Sequence, residues 1–142
     1  MEQRLRSIEV LQSKALRIVL NKPYDCSRSE LYSEKQLLLR VAAMYETIFL
    51  TFKIVHNKIH HSFKLIQARQ VHEHHTRNAA DFRLFKFRTQ VGSQSILAKG
   101  LRLFNELPTE LKRDMSLSGF KNLLKTHIWN TNTYKYYDQP NE

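Results

Sequence analysis

Ile8, Leu11, Ala15, Ile18 and Val19 recur every three or four residues, a spacing that predicts an amphipathic helix over about residues 3–21. Pro23 stops it, because proline lacks an amide proton and disfavours helical geometry in the residue before it. Ser27 and Glu30 have the spacing of a capping box, so a short second helix starts there and carries Leu31 and Tyr32. Leu37 to Val55 reads as the longest helix. Its apolar residues (Leu38, Val41, Ala42, Tyr45, Ile48, Phe49, Phe52, Val55) cover more than one stripe, as in a central buried helix.

The periodicity decays from Asn57 to about Thr89. Within it, Phe82 to Thr89 is the one stretch that alternates enough for a short strand or an extended segment. Ser95 can cap a helix running through Glu106, with Leu97, Leu101 and Phe104 facing inward. Pro108 restarts the chain as a short helical turn over 109–113. Ser116 can cap a last helix, on which Phe120, Leu123, Leu124, His127 and Ile128 keep helical spacing. Tyr134 to Glu142 reads as a loose tail. The fold class is mostly α: a small helical domain of about four to six helices with a basic, partly extended middle segment. Its parts are an N-terminal helical region (1–57), a basic His/Arg-rich segment (58–92), a C-terminal helical region (93–133) and the tail (134–142), expected to form one domain. The stripes at 3–21 and 116–130 can pack on each other or on a partner.

Composition narrows the class. Apolar residues at 42% are too many for a disordered chain, and three Gly with three Pro are too few for a turn-rich sandwich or barrel. One cysteine, Cys26, cannot form an intramolecular disulfide. No run approaches the roughly 18 apolar residues of a membrane span, and residues 1–4 lead into a charged segment with no apolar signal core. The expectation is a soluble intracellular protein with no membrane partner, small enough to enter the nucleus.

Charge changes the picture more. The chain carries 23 Lys and Arg against 13 Asp and Glu, or +10, with seven His besides. Residues 58–102 hold nine of the bases against two acids, or +7. Such an excess attracts polyanions, nucleic acid first. Lys64, Arg69, Arg77, Arg83, Lys86, Arg88, Lys99 and Arg102 are the candidate phosphate contacts. Phe82, Phe85 and Phe87 lie among them as candidate faces for base stacking. The contrary reading makes these phenylalanines core and the bases a solvated face.

Signals for catalysis are weak. His60, His61, His72, His74 and His75 lack the partner ligands of a zinc module, and polar histidines in a basic loop explain them. Cys26 stands beside Asp25, which disfavours a thiolate. There is no nucleophile elbow and no Gly-rich phosphate loop. Tyr136-Tyr137-Asp138 has a single carboxylate, and two-metal chemistry needs at least two. No catalytic residue, metal ligand or cofactor is assigned, and the chain is read as a non-enzyme.

One resemblance runs through most of the chain. Leu11-Gln12-Ser13-Lys14-Ala15-Leu16-Arg17-Ile18-Val19-Leu20 is followed by Pro23-Tyr24-Asp25, Ser29-Glu30-Leu31 and Tyr45-Glu46-Thr47 through Phe52-Lys53-Ile54. Thr76 to Leu84, Arg88-Thr89, Gly92 to Ile96, Leu103-Phe104-Asn105-Glu106-Leu107-Pro108 and Ser116 to Lys121 complete the series. In this order the motifs resemble the region after the polymerase core in non-LTR (LINE-type, jockey-like) retrotransposon reverse transcriptases, over about residues 8–128. Departures from that pattern are Phe104, where the family has Trp, and missing prolines near Phe85 and Leu101. The resemblance implies a thumb-adjacent appendage that helps hold template RNA or target DNA during target-primed reverse transcription. The family's palm and its metal-binding aspartates are not in this chain, so no catalytic residue carries over. Two functions are therefore expected from the sequence: a non-catalytic domain that binds RNA or DNA through the basic and aromatic surface, or a helical module for a protein partner or a homodimer.

Overall fold

The computed structural model describes residues 2–32, 38–71, 80–93 and 95–137. The fold is mostly helical: α1 (Glu2–Val19), α2 (Arg28–Leu31), α3 (Leu39–Val55), α4 (Gln90–Ser93), α5 (Ile96–Asn105), α6 (Thr109–Lys112) and α7 (Leu117–Tyr137), with a 3-10 turn at Ala68–Gln70. Four of these exceed two turns and three are single turns. The longest is α7, at 21 residues against 17 for α3, reversing the expected order. It continues through 134–137, where a loose tail was expected; 138–142 lie outside the described residues. The chain forms two compact units, one from Met1–Tyr45 with Leu117–Glu142, the other from Glu46–Ser116. Positions 57 and 92 both lie inside the second unit.

In the first unit Cys26, Leu31, Tyr32, Leu38, Val41 and Tyr45 are buried, as are Phe120, Leu124 and Ile128. The last three repeat every four residues, so α7 buries a narrower stripe than its sequence suggested. Leu123 is left 52% exposed. The larger departure is α1. Its apolar stripe is intact but turned to solvent, with Leu11 63%, Ile18 81% and Val19 75% exposed, while Glu9 and Ser13 are buried. Bonding decides that orientation. Gln12 Oε1 accepts from the amide of Leu39 at 3.1 Å, satisfying one of the donors that the start of α3 leaves unpaired. Ser13 Oγ donates to the Glu9 carbonyl at 2.9 Å and lies 3.0 Å from the Tyr32 hydroxyl. Glu9 pairs with Arg40 at 3.5 Å.

Helix ends follow their local chemistry, with glycine replaced by asparagine. Asn21 and Asn57 hold φ of 49° and 52°, and among the described residues they alone of the non-glycines have positive φ. Each ends its helix in a Schellman arrangement: the Lys22 amide donates to the Arg17 carbonyl at 2.9 Å, and that of Lys58 to Lys53 at 2.8 Å. His61 Nε2 adds a hydrogen bond to the Ile54 carbonyl at 2.8 Å and another to Asn57 Oδ1 at 3.1 Å. At α2 the capping box is altered: Ser27 Oγ donates to Glu30 Oε1 at 3.1 Å, and the Ser27 side chain makes no cap hydrogen bond to the helix amides.

In the second unit Ile48, Phe49, Phe52, Ile54, Leu101, Phe104, Leu107 and Leu111 are buried. Gly100 is where α5 meets α3. A Cβ there would overlap Thr51 Oγ1, which is itself bonded to the Thr47 carbonyl at 2.8 Å. Only glycine permits that approach. The left-handed cap supplies a direct check on the α3 terminus. Asn57→Ala should lower the unfolding free energy in urea by about 1 kcal/mol, because alanine holds the left-handed conformation without asparagine's local side-chain bonding and loses the bond from His61. Asn57→Gly should cost less.

Candidate nucleic-acid interface

The basic middle of the chain lies in the second unit, which has twelve Lys and Arg against six Asp and Glu, or +6. Phe82 to Arg88 is irregular, and no strand occurs among the described residues. A single antiparallel bridge pairs Gln67 with Phe82. The Ala68 amide donates to the Asp81 carbonyl at 2.9 Å, and the Arg83 amide to the Ile66 carbonyl at 2.8 Å. This bridge brings the segment of Lys64 and Arg69 beside that of Arg83.

Asn105, at the end of α5, holds the bridge in place. Its Oδ1 accepts from the Phe82 amide at 3.0 Å and its Nδ2 donates to the Phe82 carbonyl at 2.8 Å. One side-chain amide thus completes both backbone bonds that a neighbouring strand would have made. Lys112 of α6 adds an ion pair to Asp81 at 2.9 Å and donates to the Asn105 carbonyl. The Phe82 ring lies 6.2 Å from that of Phe104. At the other end, Phe87 packs over Gly92, where a Cβ would overlap its ring, and Thr89 Oγ1 accepts from the Gly92 amide at 3.1 Å.

Burial sorts the three candidate stacking rings. Phe82 is half-buried and serves as an anchor, while Phe85 and Phe87 are exposed with centroids 6.3 Å apart. The sequence reading passed over Phe63, which is exposed and stacked on His61 at 6.0 Å. Its neighbour Lys64 repeats the pairing of aromatic with base seen at Phe85-Lys86 and Phe87-Arg88, and that was the available signal.

Electrostatics sort the cations. Lys58 pairs with Asp114 at 2.9 Å and Lys112 with Asp81, so these two bases are internally neutralised. Lys64, Arg69, Arg83, Lys86, Arg88, Lys99 and Arg102 are all exposed, and none has an ion-pair partner among the described residues. Lys99 and Arg102, three residues apart on α5, lie away from buried Leu101 and Phe104. Arg77, with His72, His74 and His75, lies outside the described residues.

Other candidate chemistry takes structural form. Burial pushes the Cys26 thiol above its usual range, and its bond to Glu30 Oε2 at 3.3 Å pushes the same way. That bond, with the one from Ser27, holds the Glu30 carboxyl below its ordinary value. His56 packs on Phe52 at 4.5 Å, and burial pushes its imidazole below the ordinary 6.5 despite Asp114 at 3.8 Å. Among the described residues no three His, Cys, Asp or Glu side chains are placed to hold a metal ion. No described helix is long and apolar enough to cross a membrane.

No protein-family model, curated protein or solved structure matches the chain.

Two measurements check this arrangement. Asn105→Ala leaves the Phe82 amide and carbonyl without their partner, so unfolding should cost about 1–3 kcal/mol less in urea. Because the His56 pKa is lowered on folding, the unfolded chain takes up the proton first. Stability should therefore be full above pH 6.5 and fall as pH drops through that value. His56→Phe, which keeps a ring against Phe52 without a proton to bind, should flatten that dependence in urea titrations.

Proposed function

We propose that this chain is a non-catalytic domain that binds RNA or DNA through the exposed cations and rings of its second unit. The observation that carries the reading is the division among the bases. Lys58 and Lys112 are matched by carboxylates of the same unit, whereas eight exposed Lys and Arg side chains, the seven named above and Arg113, have no ion pair among the described residues. Unmatched cations on one small unit are what a phosphate backbone neutralises with release of its counterions. Arg83, Lys86 and Arg88 follow directly on the clamped Phe82 and alternate with Phe85 and Phe87, so phosphate contacts and base faces share one segment. Exposed rings suit unpaired bases, which can stack on them, better than bases closed within a duplex. Lys64 and Arg69, brought alongside by the bridge at Gln67, extend the same positive surface.

A role as an appendage derived from a retrotransposon reverse transcriptase fits the motif series and belongs to this proposal. Under it the chain holds nucleic acid for chemistry performed elsewhere, and Arg77 joins the contact set on the strength of the sequence alone.

The test is binding of the purified chain to single-stranded RNA, duplex RNA and duplex DNA over a salt series. With about five phosphates neutralised, affinity for B-DNA should fall several-hundred-fold between roughly 50 and 200 mM salt, from a slope of about −0.9 per phosphate. Single strands, with a slope of about −0.7 per phosphate, should lose about a hundredfold. Replacing Arg83, Lys86 and Arg88 together by Glu should abolish binding and leave the far-ultraviolet helical spectrum unchanged. Affinity that survives this change would remove the assignment.

A further inference from the structure

Two exposed rings of the second unit are held from behind by the fold. Phe63 stacks on His61 with centroids 6.0 Å apart and planes within 16° of parallel. His61 is in turn tied to the end of α3, where Nε2 donates to the Ile54 carbonyl at 2.8 Å and to Asn57 Oδ1 at 3.1 Å. Phe87 lies against Gly92, so closely that a Cβ added there would stand 2.8 Å from Cδ1 and 2.9 Å from Cβ of Phe87. Phe85 tilts against Phe87 at 52°. Phe63 and Phe87 thus each have a supported side and a side open to solvent.

The Gln67–Phe82 bridge sends both ring-bearing arms the same way. In an antiparallel pair, the chain entering one partner and the chain leaving the other run on the same side. Phe63 lies four residues before Gln67 and Phe87 five after Phe82, so both arms leave the bridge on that side. Each exposed ring is followed by an exposed base, as Phe63-Lys64, Phe85-Lys86 and Phe87-Arg88. One cation per ring matches a nucleic-acid strand, which offers one phosphate per base. A lipid surface calls instead for a continuous apolar face.

We infer that Phe63 and Phe87 are preformed stacking stations for unpaired bases, through which the second unit selects single strands over duplexes. This rests on the nucleic-acid reading above and adds the strandedness of the ligand and the residues that read it. A base stacks on a ring through its π-face, which in a duplex is covered by the neighbouring base pairs. The cations reach phosphates in either form and attract both, so only the rings tell the two apart. Rings already fixed lose little freedom on binding, which leaves more of the stacking energy for affinity. His61 and Gly92 are positioning residues, which hold the rings without touching the strand.

Binding of the full chain at low salt tests this with four probes: oligo(U), oligo(dT), an abasic oligodeoxynucleotide of the same length, and duplex DNA. The wild-type chain should prefer the base-bearing single strands to the other two. Phe63→Leu and Phe87→Leu keep an apolar side chain but remove the π-face. Each should weaken binding of those single strands roughly five- to 150-fold, the range for one base stack, and leave duplex and abasic binding unchanged. Phe63→Trp should bind them at least as tightly as the wild type. Gly92→Ala displaces the Phe87 ring and leaves every charge in place, so it should act on the base-bearing single strands alone. If the wild type binds but both Leu variants keep its single-strand affinity, the stacking role is overturned and the nucleic-acid reading stands. Losses shared equally by the duplex would also overturn that role, because the rings would then serve the fold. No binding to any probe would overturn both readings. Co-sedimentation with phosphatidylserine vesicles that is lost in the Leu variants, with single-strand affinity unchanged, would make the rings a lipid surface instead.

Discussion

The grip of Asn105 on the Phe82 backbone is the contact on which the second unit's proposed interface depends. An irregular segment rich in Arg and Lys gains little from burial and repels itself, so it needs a fixed point if its charges are to hold a defined place. The carboxamide supplies one acceptor and one donor, which match the amide and carbonyl of a single residue. Around it, Phe104 faces the Phe82 ring, Lys112 neutralises Asp81, and the Gln67 bridge adds a second line of backbone bonds. Beyond that fixed point the chain runs out over Arg83 to Arg88 before Phe87 settles on Gly92.

The same economy governs the charges. Two carboxylates that would have quenched the positive field, Asp114 and Asp81, are placed against Lys58 and Lys112. Of the second unit's other described bases, Lys53 is half-buried over the Phe49 ring and the rest are exposed. Net charge by itself does not distinguish these two populations, since paired and unpaired lysines count alike. The geometry separates them, and the proposed interface rests on that separation more than on the total of +10.

The first unit makes a different exchange. Its N-terminal helix uses Gln12 to satisfy an amide at the start of α3, and Ser13 and Glu9 to bond Tyr32 and Arg40. Directional bonds of this kind select one edge of the helix, and the apolar stripe is left outside.

What the sequence by itself determined is local and periodic. The spacing of Ile96 to Phe104 after Ser95, and of Phe120 to Ile128 after Ser116, marked two helices whose starts are at Ile96 and Leu117. The Ser95 side chain accepts the Ala98 amide at 3.3 Å, as its cap position predicts. Scarcity of Gly and Pro and the 3.6-residue spacing made a mostly helical fold legible, because both act through bonds within a few residues. The cluster of bases with Phe82, Phe85 and Phe87 was legible for the same reason. Only the tertiary structure decided which of those rings is an anchor, which cations are paired, and which way α1 faces. Periodicity reports that residues share a side of a helix, and it carries no information about what stands opposite. Asn105 with Phe82, Lys112 with Asp81, and Gln12 with Leu39 are 23 to 31 residues apart, so each pairing exists only once the chain has folded.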